Sequence, residues 1–226
     1  SNVQVGGPAY GSPSGEFMPG RFVKPGVVFT SRGCSNQCPF CLVPRREGPF
    51  RPLTLQQGWN VADNNVLLHT EKNLLAVFEM LRAQTEPIIF SGGLDARRFD
   101  SLHVDLLKSI RLKYAFFACD SADDLKYLEK VAVKMADFSR EKKRCYVLIG
   151  FNGESPRQAE SRLKAVYNLD FLPYAMLYRS SEANARSTPE FHDLVGIWRQ
   201  PRVYKIIMDG PKRPREGLKQ LSIIRR

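Results

Sequence analysis

The sequence predicts an α/β fold, a partial (β/α)6 barrel with parallel strands, and three observations predict it. Six short apolar runs recur, at residues 27–30, 59–62, 87–90, 114–118, 145–149 and 171–177. Most are rich in β-branched or aromatic residues and bounded by Gly, Asn or Asp, the pattern of buried parallel strands. The stretches between them place apolar residues at helical spacing, and such alternation argues a parallel sheet with helices outside it. The chain has 226 residues, fewer than the roughly 250 of a full eight-fold TIM-like barrel, and the pattern stops after six units. An open doubly wound sheet is the alternative. In either arrangement ligands belong at the C-terminal ends of the strands.

Residues 1–22 read as a flexible arm, because the first 20 hold five Gly, three Pro and three Ser. Residues 23–180 form the expected core and 181–226 a basic extension. Within the core, residues 70–84 bring Leu74, Val77, Phe78 and Leu81 to one helical face, with Thr70 as N-cap. Residues 101–111 do the same with Leu102, Leu106 and Ile110. Residues 121–138 open with Ser121 and two acids, where the helix dipole favours them. Residues 156–168 open with Pro156 after Ser155, a cap and first-turn pair. The segment 42–58, rich in Pro, Gly and Arg, is the least helical.

Hydrophobic residues make up 43% and charged residues 25%, which excludes wholesale disorder. No apolar run approaches the ~20 residues that span a bilayer. No apolar N-terminal stretch reads as a signal peptide, so the expected location is cytoplasmic, with no membrane partner. Five cysteines suit a reducing compartment and a metal site better than a disulfide framework.

Three of the five lie together, in Ser31-Arg-Gly-Cys34-Ser-Asn-Gln-Cys38-Pro-Phe-Cys41, directly after the first expected strand. Three thiolates on one loop can each hold a different iron of a 4Fe–4S cube, and one iron then keeps an open position. Open positions are where metal sites do chemistry. A structural zinc site needs a fourth ligand, and Cys119, His69, His103 and His192 stand at no zinc-finger spacing from the triplet.

The Cys-x3-Cys-x2-Cys spacing, with the aromatic Phe40 before the third cysteine, resembles the hallmark of the radical S-adenosylmethionine superfamily. Thr30 to Cys34 and Val43 to Gly48 look like the cluster loop of its methylthiotransferase and cobalamin-type branches. Val147 to Glu154 resembles the fifth-strand motif that packs on adenine there. The resemblance covers about residues 23–180. Nothing before the loop matches a cobalamin-binding domain, and nothing after the core matches the RNA-binding domain of methylthiotransferases, so the chain looks most like compact stand-alone members. The resemblance implies a 4Fe–4S cluster on Cys34, Cys38 and Cys41, with S-adenosylmethionine on the open iron and an external electron donor of flavodoxin or ferredoxin type. Reductive cleavage would give a 5′-deoxyadenosyl radical that abstracts a substrate hydrogen.

The remaining expected cofactor-binding residues follow the strand ends. After the second strand come Asp63, Asn64 and Asn65, where the family often has Gly-Gly-Glu; Asp63 is placed to accept from the methionine ammonium, or to form an Asx turn. After the third come Gly92 and Gly93, which allow close backbone approach, then Asp95 and Arg97. Asp120 and Ser121 follow the fourth, Ser121 being equally a helix cap. Ile149 and Gly150 belong to the adenine-like motif, and Arg179 ends the sixth strand. Arg45 and Arg46 steer anions or face solvent. Cys119 reads as a small buried hydrophobe and the three histidines as structural.

The net charge is +11, of which residues 199–226 carry +7. A basic segment attracts polyanions, nucleic acid first. Trp198, Tyr204 and Phe191 interleave with it as stacking groups. The expected substrate is therefore a nucleic-acid base or nucleotide. The alternatives are the same chemistry on a peptide or small metabolite, and a non-catalytic iron–sulfur or zinc module that binds nucleic acid.

Overall fold

The structure is a computed structural model, and it describes residues 24–179 and 188–210. Six strands form one parallel sheet: β1 (Val27–Val28), β4 (Asn60–Val61), β5 (Ile88–Leu94), β6 (Leu112–Ala118), β7 (Lys143–Ile149) and β8 (Leu172–Leu177). Their spatial order is β1-β4-β5-β6-β7-β8, with every neighbouring pair parallel. All six expected strands are present in the expected order. The sheet is open, with β1 and β8 as its edges.

Side chains alternate across the sheet. In β7, Lys143, Cys145, Val147 and Ile149 are buried while the residues between them are only half-buried. The buried face carries the helices α2 (Glu71–Arg82), α3 (Ser101–Lys108), α4 (Leu125–Lys134) and α5 (Pro156–Asn168). Each begins with local chemistry that the sequence supplies. The Thr70 side chain accepts from Asn73 N–H, and Asp100–His103 and Ser155–Gln158 form capping boxes. Ser121 starts not the long helix expected from 121 but a short 3-10 turn, Ala122–Asp124, before α4.

Two departures matter. The segment expected to be least helical contains a short helix, α1 (Val43–Glu47), followed by β3 (Arg51–Pro52), which pairs antiparallel with β2 (Ser31–Arg32). The helical layer also continues beyond residue 180. α6 (Pro189–Trp198) packs on β8 and α5, completing a sixth strand–helix unit. α7 (Pro201–Asp209) then contacts residues flanking the N-terminal ends of β7 and β8. Lys205 reaches Glu141, and Tyr167 Oη donates to Asp209. Phe191, Trp198 and Tyr204 are 4%, 1% and 0% exposed, so these three aromatics build the core and offer no stacking surface. The arm at 1–22 and the basic residues past 210 lie outside the described residues. Among the described residues, no helix is long and apolar enough to cross a membrane.

Candidate functional site

The cysteine loop leaves β2 and folds over the C-terminal ends of β4, β5 and β6. Gly33 makes the entry turn at φ +73°, and a Cβ there would lie 2.2 Å from the Pro49 carbonyl oxygen. Only glycine fits both conditions. Its N–H donates to Glu47 Oε2 at 3.1 Å, and Cys34 N–H donates to the Gly48 carbonyl at 3.2 Å. Glu47 also accepts from Asn64 Nδ2 at 2.8 Å and pairs with Arg32 at 3.4 Å. The C-terminal residue of α1 thus ties the loop to the end of β4. Sequence reasoning missed Glu47, and the only signal for it was an acid ending a Pro-started turn.

Cys34, Cys38 and Cys41 are half-buried free thiols lining one cleft of about 620 Å³. The same cleft is lined by Phe40, Asn64, Gly93, Asp95, Arg97 and Asp120, all singled out in the sequence, and by Phe151. Burial raises the Cys38 thiol above its ordinary range, partly offset by the nearby Arg97 guanidinium. Cys119 and Cys145 are fully buried on the helix-covered side; burial pushes Cys119 up to about 12 and Cys145 well above its ordinary value. Both behave as core residues. Among the described residues, no three His, Cys, Asp or Glu gather closely enough to hold a single metal ion.

Asp95 organises the opposite wall. It accepts from Asn36 Nδ2 at 2.9 Å and Asn65 Nδ2 at 3.3 Å, and bidentately from Arg97 at 2.8 and 2.9 Å. Burial works to raise its pKa, but the bonds from Arg97 and Asn36 prevail and hold it below the usual carboxylate range. Arg97 stays 45% exposed on its side chain and keeps its charge available to the cleft. Asp120 lies across from it. Burial, then the charge of Asp124, pushes Asp120 up to about 6.

Four expected ligand-binding residues sit elsewhere. Asp63 does not line the cleft: it is 1% exposed and accepts from Thr30 N–H at 2.7 Å, Thr30 Oγ1 at 2.6 Å and Ser31 Oγ at 2.5 Å. Its carboxylate is used up in fixing the chain just before the cysteine loop, with His69 Nε2 bridging to Thr30 Oγ1 at 3.0 Å. Gly92 is a packing glycine: a Cβ would fall 1.8 Å from the Asp63 carbonyl oxygen, at the irregularity between β5 and β6. Ile149 is 0% exposed in the core, on the helix-covered side. Gly150 turns the chain at φ +79° and donates to Glu154 Oε2 at 3.0 Å; its missing side chain would face Leu177 rather than the cleft. The next residue, Phe151, lines the cleft and meets Phe40 edge-on at 5.5 Å. Buried Arg162 holds this corner by donating to the Cys119 and Leu148 carbonyls and to Glu154. Arg45, Arg46 and Arg179 are exposed.

No protein-family model matches the chain, and no curated protein matches it in sequence. Among solved structures, it is similar to the radical S-adenosylmethionine methyltransferase TsrM from Kitasatospora setae, determined with cobalamin and a [4Fe-4S] cluster bound. The identity is 15% and the TM-score 0.52, over 67% of this chain and 36% of that one. The chain therefore spans about a third of that enzyme's length. At this identity the likeness shows a shared α/β fold, a six-stranded parallel sheet with helices packed on it.

Proposed function

We propose that the chain is a radical S-adenosylmethionine enzyme in which Cys34, Cys38 and Cys41 hold three irons of a 4Fe–4S cluster. One observation carries the reading: three free thiols in Cys-x3-Cys-x2-Cys spacing line a single cleft at the C-terminal ends of parallel strands. The donor set fits the group. Each thiolate of a cube goes to a different iron, so the three need no common point, and three donors leave one iron open. The fold shared with a radical S-adenosylmethionine methyltransferase supports the same reading. When bound, cluster and cofactor supply the electron transfer and the 5′-deoxyadenosyl radical that takes hydrogen from the substrate.

The chain's own residues do the holding. Asn36, Asn65 and Arg97 converge on Asp95 and fix the loop against β5. Arg97 offers the cleft a cation for a carboxylate, and Asp120 an acceptor for an ammonium or hydroxyl. Gly93 has no atom within 4 Å of where a Cβ would stand, which leaves room for a ligand there. Phe40 and Phe151 shield the cleft beside the thiols.

Anaerobic reconstitution tests the reading. The wild-type chain is expected to take up about four irons and four sulfides. Uptake of a single zinc ion in place of iron would overturn it.

A further inference from the structure

The sheet has a second face, opposite the helices, and its chemistry is uneven. No strand of the sheet contains an Asp or Glu. That face carries Tyr114 and Phe116 of β6, Arg144 and Tyr146 of β7, and Tyr174 of β8, set side by side by the parallel register. Phe116 and Tyr146 stack at 3.9 Å, and Tyr146 Oη donates to the Ser91 carbonyl at 2.9 Å, which ties this layer to β5. Arg144 lies over Tyr114, its guanidinium carbon 3.7 Å from the ring centre. It has no ion pair and no hydrogen bond among the described residues, and its Nε is buried without a partner. Arg199, from the end of α6, adds a second cation 5.2 Å over Tyr174.

A guanidinium over an aromatic ring, with an open fork and no counter-charge among the described residues, is an anion site in waiting. The same face leads directly to the cleft, because Ala118 of β6 and Gly93 of β5 line it. From Arg144 to Leu148, level with the cleft, is four residues of strand, about 13 Å. We infer that this face binds the far end of the substrate, and that the substrate is an elongated small molecule carrying a phosphate or carboxylate held by Arg144. Calling that ligand the substrate rests on the function proposed above; the anion site itself does not. Remote binding of this kind anchors a substrate without touching the reacting atoms.

The test uses the 226-residue chain and two probes, inorganic phosphate and benzoate, with benzamide as the neutral control. The Nε–H resonance of Arg144, identified by its loss in Arg144→Lys, is followed by NMR. A saturable shift with phosphate or with benzoate, and none with benzamide, supports the site, and the stronger probe identifies the anion. Calorimetric affinity should fall roughly tenfold or more in Arg144→Gln. It should be unchanged in Arg202→Gln, which removes one charge from exposed α7. No saturable shift with either anion, or equal loss in the two Gln variants, would overturn the proposal. Iron content and substrate-free cleavage of S-adenosylmethionine are measured alongside. Anion binding without a cluster would sink the enzymatic reading alone, and a cluster without anion binding would sink this one alone.

Discussion

The two ends of the sheet are built on opposite electrostatic plans. At the N-terminal ends of β7 and β8, on the helix-covered side of the sheet, charges close on one another. Buried Lys143 donates to Asp170 at 2.5 Å, and Arg140 pairs with Asp170 at 2.7 Å and with Asp209 at 3.8 Å. Arg140 also lies over the Tyr167 ring at 4.2 Å, and Lys205 pairs with Glu141 at 2.9 Å. At the C-terminal ends, groups are held but left open: three free thiols, an Asp120 raised to about 6, and a half-exposed Arg97. In parallel α/β folds the first end serves stability and the second chemistry. Of the basic segment 199–226, α7 lies at that first end.

Four predictions sharpen the contrast, beginning with the largest effect. Cys34→Ala, Cys38→Ala or Cys41→Ala should each abolish the iron–sulfur absorbance of the reconstituted chain, whereas Cys119→Ala and Cys145→Ala should keep it. Retention of the absorbance in Cys34→Ala would remove that residue from the ligand set.

Gly92→Ala should cost about 3 kcal/mol in urea unfolding, because the new methyl must push the Asp63 backbone aside. Since Asp63 fixes Thr30 and Ser31, iron uptake should fall as well. Unchanged uptake would uncouple the strand end from the loop.

Lys143→Met should cost about 2 kcal/mol, less than a fully buried pair would, because Asp170 keeps Arg140 and partial solvent. Iron uptake per folded molecule should not change. A loss of uptake equal to that of Gly92→Ala would erase the distinction between the ends.

The smallest expected effect has the opposite sign. Asp120 titrates near 6 in the fold and about 4 when unfolded, so the folded chain binds more protons between those values. Asp120 therefore costs stability as pH rises from about 4 to 6, and the cost stays constant above. Asp120→Asn should raise the cofactor-free chain's stability at pH 7 by about 1 kcal/mol and flatten that slope. Equal slopes in both proteins would mean that Asp120 titrates normally.

Sequence periodicity made much of this legible. β5 to β8 announce themselves as β-branched and aromatic runs, and α2, α3 and α5 carry their own caps. α6 and α7 were hidden in a stretch dominated by charge, although Thr188-Pro189 and Gln200-Pro201 are helix starts and Phe191, Leu194 and Trp198 follow at helical spacing. The cysteine loop and its aromatic were readable because the spacing is local. Asp63 was not, because what decides its role is a pair of hydroxyls 32 and 33 residues earlier, brought against it only by the pairing of β1 with β4. The stretch Val147 to Glu154 was readable as a unit, but not which of its residues meets the cleft: that Phe151 lines it and Gly150 does not depends on a left-handed turn that Glu154 and Arg162 fix.

The central claim is that the cleft closes an open-iron cluster with S-adenosylmethionine, and electron paramagnetic resonance of the reduced, reconstituted chain tests it most directly. Adding S-adenosylmethionine should change the cluster signal, and 5′-deoxyadenosine should accumulate under dithionite. Cys38→Ala, prepared in the same way, should give neither. A wild-type cluster whose signal ignores S-adenosylmethionine, with no 5′-deoxyadenosine formed, would contradict the account.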